Sequence, residues 1–408
     1  MLRSSSVKKQ SLSLCSAALS AVFWTLAAPA AAQFPWAGPR AAGMGGAQVA
    51  AVNDNSAAWV NPAALAGQKG WDFQILAGFA AQNRNNLVGT LVALGDLPFG
   101  DIVNGSRPDL VPVLVGGIVN LARPGTAVIG SGTAGLVASY KGFALSIGDV
   151  PYTGIYPVID LQHIVPGGGP DNGLQFNETA LDLAGLSARE ARLAYGHGFL
   201  EGMLEVGGAI RYVSGVTYFG RCAVVGPNSC QGKDLSELIN DAFDQNGRTT
   251  NKFTFDVGAR LNFGILKLGV VGTALNQPEF TVAEVTGSPG TLPLPRQLRG
   301  GVAVAVLSFL TLAADGDFIK SDTLAPGVQS QQMSLGAEVK IPIFAFRVGA
   351  SRDFASANPT WAYSLGLGFG VPIVSVDLAV LWGPTGGFNY KNPDREALGA
   401  SAGVRLHF

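Results

Sequence analysis

Charge is scarce in this chain, and so are cysteine, histidine and long apolar runs. Of 408 residues 13% are charged and 48% hydrophobic, with a formal net charge of -1. An average soluble domain carries roughly 25% charge, so this chain has too little to cover a water-facing surface. The near-neutral balance offers no basic footprint and excludes nucleic acid as a partner. No run reaches the ~18–20 apolar residues that a membrane-spanning helix requires. The longest candidate, residues 301–314, is too short and holds Ser308 near its middle. Histidine is limited to His163, His197 and His407, and no Gly-x-Ser-x-Gly accompanies them. A Ser/His arrangement for a lipase or acyltransferase is therefore missing, and no enzyme, metal or cofactor is expected.

The first residues read as a secretory signal. Arg3, Lys8 and Lys9 form a positive n-region, residues 12–26 an apolar h-region, and Ala30-Ala31-Ala32 a small-residue cleavage site before Gln33. Cys15 leaves with it; Leu14 stands where a lipoprotein site wants a small residue. Cys222 and Cys230 remain, in a stretch rich in Gly, Pro and Asn. In an exported chain such a pair predicts a disulfide, worth roughly 2–3 kcal/mol for so short a loop.

What the chain does have is glycine, 55 residues of it, and a strict two-residue rhythm from Trp71 onward. Phe253, Phe255, Val257, Ala259, Leu261 and Phe263 face one way; Lys252, Thr254, Asp256, Gly258, Arg260 and Asn262 face the other. The last strand does the same, with Leu398, Ala400, Ala402, Val404, Leu406 and Phe408 on its apolar side. A strand of about ten residues at ~3.4 Å per residue, tilted ~40°, crosses about 26 Å, the height of an outer-membrane apolar band. Lipid accepts such strands only when every backbone N–H and C=O is paired, which demands a closed sheet.

The connections alternate. Tight links fall at residues 140–142, 199–202, 263–264, 308, 341–343 and 370–372; long polar links fall at 80–130, 151–187, 213–251, 275–295, 319–330, 354–360 and 383–396. Short turns at one end and long loops at the other are the asymmetry of a transmembrane barrel. The predicted fold is all-β: an antiparallel barrel of about 14 strands over residues 71–408, in the outer membrane of a Gram-negative bacterium, with short helices in its extracellular loops. Residues 96–122 suit one or two such helices, and residues 234–243 carry an apolar stripe at helical spacing.

One face of the strands holds charge of both signs: Glu205, Arg211, Asp256, Arg260, Arg299, Asp315, Asp317, Glu338, Lys340, Arg347, Asp377 and Arg405. The near match of acids and bases predicts mutual pairing inside a filled barrel rather than a single-sign ion filter.

Between the signal and the first strand, residues 33–70 are too rich in Gly, Ala and Asn to be a strand and suit a plug. They contain Gly43-Met44-Gly45-Gly46-Ala47, then Asn53-Asp54-Asn55, then Asn61-Pro62-Ala63. Asn-Pro marks a turn, and the glycines permit close backbone approach. This segment resembles the N-terminal hatch of the FadL-like superfamily, outer-membrane barrels that transport long-chain fatty acids and other hydrophobic compounds. Within it the chain is most similar to the branch named for conjugal transfer TraF, bordering on PorV-type barrels. The features that carry this are the helical insert after the first strand, the Tyr140-Lys141-Gly142-Phe143 hairpin and the late Leu335-Gly336-Ala337-Glu338 to Arg347-Val348-Gly349-Ala350 hairpin. The resemblance implies passive, hatch-gated diffusion of small hydrophobic compounds, with Gly43, Gly45, Gly46, Asn61, Pro62 and Ala63 as hatch and gating residues. Implied partners are outer-membrane lipid, a small apolar ligand and, through Phe408, the barrel assembly machinery. The PorV and TraF side implies instead a protein partner in secretion, surface attachment or conjugation.

Overall fold

Fourteen antiparallel strands close into one barrel, each bonded to its neighbours in sequence. The computed structural model describes residues 38–165, 169–170, 172–224, 247–357, 359–383 and 397–408. The signal segment, the stripe at 234–243, Cys230 and nearly all of the last long link lie outside them. The strands are β1 (Trp71–Arg84), β2 (Ala127–Tyr140), β3 (Phe143–Val158), β4 (Ala180–Phe199), β5 (Leu204–Ala223), β6 (Arg248–Phe263), β7 (Leu266–Thr273), β8 (Gln297–Leu307), β9 (Leu310–Asp317), β10 (Gln332–Lys340), β11 (Phe344–Asp353), β12 (Trp361–Gly370), β13 (Val374–Gly383) and β14 (Ala397–His407). Closure is a continuous ladder from Asp72 opposite His407 to Gln82 opposite Ala397.

Alternation sets the two faces. Outward residues such as Leu145, Phe253 and Val348 are each more than half exposed, which in this geometry means exposed to lipid. Aromatic contacts mark the lower edge of that belt: Trp71 stacks on Tyr140 at 4.6 Å, Phe143 meets Tyr195 at a tilt at 4.4 Å, and His197 meets Phe199 edge-on at 4.7 Å. At the upper edge Tyr212 meets Phe253 at 5.3 Å and Tyr363 meets Trp382 at 6.4 Å. Tight turns lie at one end only. At the β2–β3 turn Lys141 (φ 43°) and Gly142 (φ 88°) are both left-handed, the two-residue hairpin that matches strand twist.

Strand length differs from the even rhythm of the sequence. The β4 and β5 strands have 20 residues each and β3 and β6 have 16, whereas β7 to β14 have 8 to 11. The regions read as long links at 80–130, 151–187 and 213–251 thus begin and end as strand. The barrel has a tall wall that rises past the membrane and a low wall that does not. Above the membrane, loop helices supply the apolar partner that lipid supplies below. Helices at Leu87–Gly95, Phe99–Val103 and Val111–Leu121 bury Leu87, Leu94, Ile102, Leu114 and Ile118 against Ile155, Leu183 and Tyr218 of the tall wall. The first of these helices, capped by the Asn86 side chain, precedes the span 96–122 that the sequence suits for helices.

Candidate functional site

The hatch threads the lumen as two short α-helices, Pro39–Gly43 and Ala57–Val60, and a 3-10 turn, Pro62–Gly67. Proline at the first helical position of Pro39–Gly43 is pre-set for a helix. Gly45 (φ 64°) and Gly46 (φ 96°) then reverse the chain, with the Gly46 N–H donating to the Ala41 carbonyl at 2.8 Å. Asn61 is fully buried and caps the turn: its Oδ1 accepts the Ala63 N–H at 3.2 Å and its Nδ2 donates to the Val49 carbonyl at 3.0 Å. A cap of this kind is worth roughly 0.5–2 kcal/mol.

The wall receives the hatch through glycine. The Asn61-Pro62-Ala63 turn lies across Gly196 of β4, Gly207 of β5 and Gly258 of β6, where a Cβ would strike its backbone or the Asn61 side chain. On the far wall a Cβ at Gly336 would come within 2.7 Å of the Met44 Cβ, and Gly366 backs onto Gly43 in the same way. Gly45 itself lies so close to the Ala350 backbone that an added Cβ would stand 2.8 Å from it. Close-packed interiors cannot absorb such overlaps cheaply. The inward glycines are the seat of the plug.

Charged side chains lock it there. The Arg40 guanidinium holds Glu338 through two bonds of 2.9 and 2.8 Å, and Glu338 also accepts from Arg347 at 2.7 Å. Asp377 takes the other side of Arg347. Asp315 accepts the backbone N–H of Gln48 at 2.6 Å and of Val49 at 2.8 Å. Arg260 pairs with Glu205 at 2.5 Å and donates to the Val52 carbonyl at 2.6 Å. Glu190, Arg192, Arg211 and Asp256 form a ring of four contacts between 2.9 and 3.3 Å, and Arg192 donates to the Ala58 carbonyl at 2.7 Å. Arg299 pairs with Asp317 at 3.1 Å and Arg405 with Asp72 at 2.5 Å. Buried charges hold only when paired, and here a large share of the pairing runs to hatch carbonyls, amides or Arg40.

Above this charged floor the lumen turns apolar. Ile129, Val150, Leu186, Val213, Phe219 and Leu381 point inward, and the upper loops fold onto them with Phe280, Val282, Leu292, Leu294, Leu324 and Val328. Arg84 at the top of β1 reaches across to Asp353 of β11 and donates to the Gln329 carbonyl at 2.7 Å, tying the lid shut.

One seam in the wall is not fully laddered. The β1–β2 pairing is confined to Trp71 opposite Tyr140 at the bottom and Asn83 and Arg84 opposite Val128 and Ala127 at the top. In the β2–β3 ladder Gly132 and Thr133 are skipped, opposite Pro151, which has no N–H to give. One strand along from this seam, behind β2 and β3, sits Trp59 of the hatch, its ring 3.2 Å from where a Cβ on Gly135 would be, 2.8 Å from one on Gly148, and under the Arg192 guanidinium at 4.7 Å. The Trp59 indole N–H is buried without a hydrogen-bond partner among the described residues.

Of the hatch positions read from sequence, Gly43, Gly45, Asn61, Pro62 and Ala63 lie against wall glycines; the charges read as lumenal are paired or hydrogen-bonded inside the barrel except Lys340, which is exposed at the end of β10. Arg40, Asp72, Glu190 and Arg192 of the charged floor escaped the reading. Arg189 beside Glu190 breaks the alternation there, and Arg40 sits in a segment with no periodicity. Trp59 carries no sequence signal beyond being the single aromatic residue among the small ones of residues 38–70. Cys222 is the last residue but one of β5, while Cys230 lies outside the described residues.

An antiparallel barrel with a lipid-facing belt, one end of tight turns and a seated plug is the outer-membrane class of protein. Residues 119–317 match the family model described as the F plasmid transfer operon TraF protein. No curated protein matches the sequence. Among solved structures, the CymD monoaromatic hydrocarbon channel aligns at TM-score 0.52 and 14% identity, covering 93% of this chain and 99% of that one. The Ralstonia pickettii toluene transporter TbuX aligns at TM-score 0.48 and 14% identity over 92% and 98%, and the Pseudomonas putida toluene transporter TodX at 0.45 and 12% over 90% and 95%. The chain has the FadL-like barrel fold, and its family match agrees with the TraF-like branch. The CymD structure, which shares this fold, is named as a channel.

Proposed function

We propose that this protein is an outer-membrane channel that passes small apolar compounds, of the size of one aromatic ring, by diffusion. The carrying observation is the vertical order of the lumen: an apolar cluster packed beneath the upper loops stands on a charged, plugged floor, beside a wall seam whose ladder is interrupted. An apolar solute gains roughly 25 cal/mol for each Å² it buries on parting those side chains. The floor repels it, so the way out is sideways through the β1–β2 seam, beside the β2 and β3 strands that Trp59 backs, with the Asn61-Pro62-Ala63 turn anchoring the hatch. Pro62 fixes the backbone of that turn. The likeness in fold to the CymD monoaromatic hydrocarbon channel supports the reading. Export by the N-terminal signal, assembly through Phe408 and a Cys222–Cys230 disulfide belong to the same proposal.

The test is uptake of labelled toluene at low concentration by cells with and without the protein. Expression should raise the initial rate several-fold, and Pro62→Gly should change that rate while heat-modifiable gel mobility shows an intact barrel. Equal uptake with and without the protein would overturn the channel reading. It would favour a secretion or surface-attachment partner, a role to which the ordered helical layer above the membrane is also suited, with Val92, Val113 and Val119 about half exposed on it.

A further inference from the structure

The low wall carries a second feature, on its lipid side. Across β8 to β12 the outer surface sinks into an apolar depression of about 620 Å³. Its floor is Ala314, Ala337 and Ala350, and its rim includes Leu335, Val348 and Tyr363. The floor exists because these outward positions hold a methyl where their neighbours Leu335, Val348 and Tyr363 hold larger side chains.

Two residues above Ala350 on the same face of β11 stands Arg352, paired across the ladder with Trp361 while Ala350 pairs with Tyr363. At about 3.3 Å per residue its Cα is roughly 7 Å up the strand from that of Ala350. The Arg352 guanidinium rests on the Phe354 and Trp361 rings, at 5.4 and 5.8 Å from their centroids. The side chain as a whole is part-exposed on this outer face. Aromatic residues of this kind mark headgroup level, and the long-loop end of the barrel is the outer leaflet. A part-exposed cation at headgroup height, directly above an acyl-wide dent, is complementary to a phosphorylated lipid. A second copy of the chain would be a poor occupant. The carboxylates of β9 to β12 (Asp315, Asp317, Glu338 and Asp353) all point into the lumen, so such a copy would set Arg352 against no acid.

We infer that the outer face of β8 to β12 is a binding site for lipopolysaccharide, with a lipid A phosphate on Arg352 and one acyl chain in the alanine-floored depression. Charge-assisted bonds from Arg to phosphate are worth enough to discriminate about tenfold.

Native mass spectrometry of the full chain in a zwitterionic detergent tests this, with bisphosphorylated lipid A, fully dephosphorylated lipid A, phosphatidylglycerol and phosphatidylcholine as probes. The expected result is a one-to-one adduct with bisphosphorylated lipid A, weakened about tenfold when the phosphates are removed. R352Q should weaken it similarly, and A337L, which fills the dent, should abolish it while gel mobility shows a folded barrel. Equal binding of phosphatidylglycerol or phosphatidylcholine, no adduct, or an adduct indifferent to dephosphorylation would overturn the assignment. The comparison of the two lipid A forms uses the unaltered protein and stands even if a variant misfolds. Because it reads lipid binding and not uptake, its outcome is independent of the channel reading.

Discussion

At the scale of single residues, glycine does in this lumen what charge does on a soluble surface. Gly196, Gly207 and Gly258 on three adjacent strands leave the Asn61-Pro62-Ala63 backbone room to lie against the sheet itself. Gly258 is the sharpest case, because a side chain there would meet the Asn61 carboxamide that caps the turn. Gly258→Val should therefore unseat the hatch without harming the strand, since valine favours extended backbone. The expected outcome in planar bilayers is a higher and noisier conductance with unchanged heat-modifiable mobility. Conductance equal to that of the unaltered protein would show that the seat is not needed for closure.

At the scale of elements, the long links are built structures with their own ties. In the link between β3 and β4, Asp160 gathers the backbone N–H groups of Gln162 at 2.9 Å, His163 at 3.2 Å and Glu178 at 3.0 Å, and the His163 ring at 2.7 Å. Burial pushes its carboxyl up, but these donors outweigh burial and hold it below the ordinary carboxylate value. A depressed folded value means that the tie is fully present above the unfolded pKa of about 4 and is lost as pH falls through the folded value. Amides of Gln162 and Glu178 should thus be protected from hydrogen exchange at pH 6 and lose that protection toward pH 3. Asp160→Asn should remove much of the pH dependence. Protection that is the same at both pH values would mean that other contacts hold the loop.

At the scale of the whole molecule, the barrel is a closed wall whose interior is divided by the hatch. The floor charges pair with it as much as with each other: Arg40 belongs to the hatch and Glu338 to the wall. Deleting residues 38–70 should leave the strands and turns intact and open a wide aqueous pore. Acids and bases remain nearly matched in that pore, so it should conduct with weak ion selectivity. Planar-bilayer recordings check this directly. A deletion variant that assembles and conducts no better than the full chain would place the block in the upper loops, where Arg84, Gln329 and Asp353 close the lid.

The sequence by itself determined the barrel. Period-two polarity, alternating short and long links and the scarcity of charge are local properties, and in lipid each admits one arrangement because the backbone must be paired. It also marked the hatch, since a run such as Gly43-Met44-Gly45-Gly46 cannot be a membrane strand. Only the tertiary structure decided what those residues meet. The seats at Gly258 and Gly336, the ring of Glu190, Arg192, Arg211 and Asp256, and the position of Trp59 behind β2 and β3 join residues far apart in the chain. Their partners are set by strand register and barrel closure. The height of the tall wall was undecided for the same reason. Its upper half is buried by loop helices instead of lipid, and an apolar residue reads alike in sequence whichever of the two covers it.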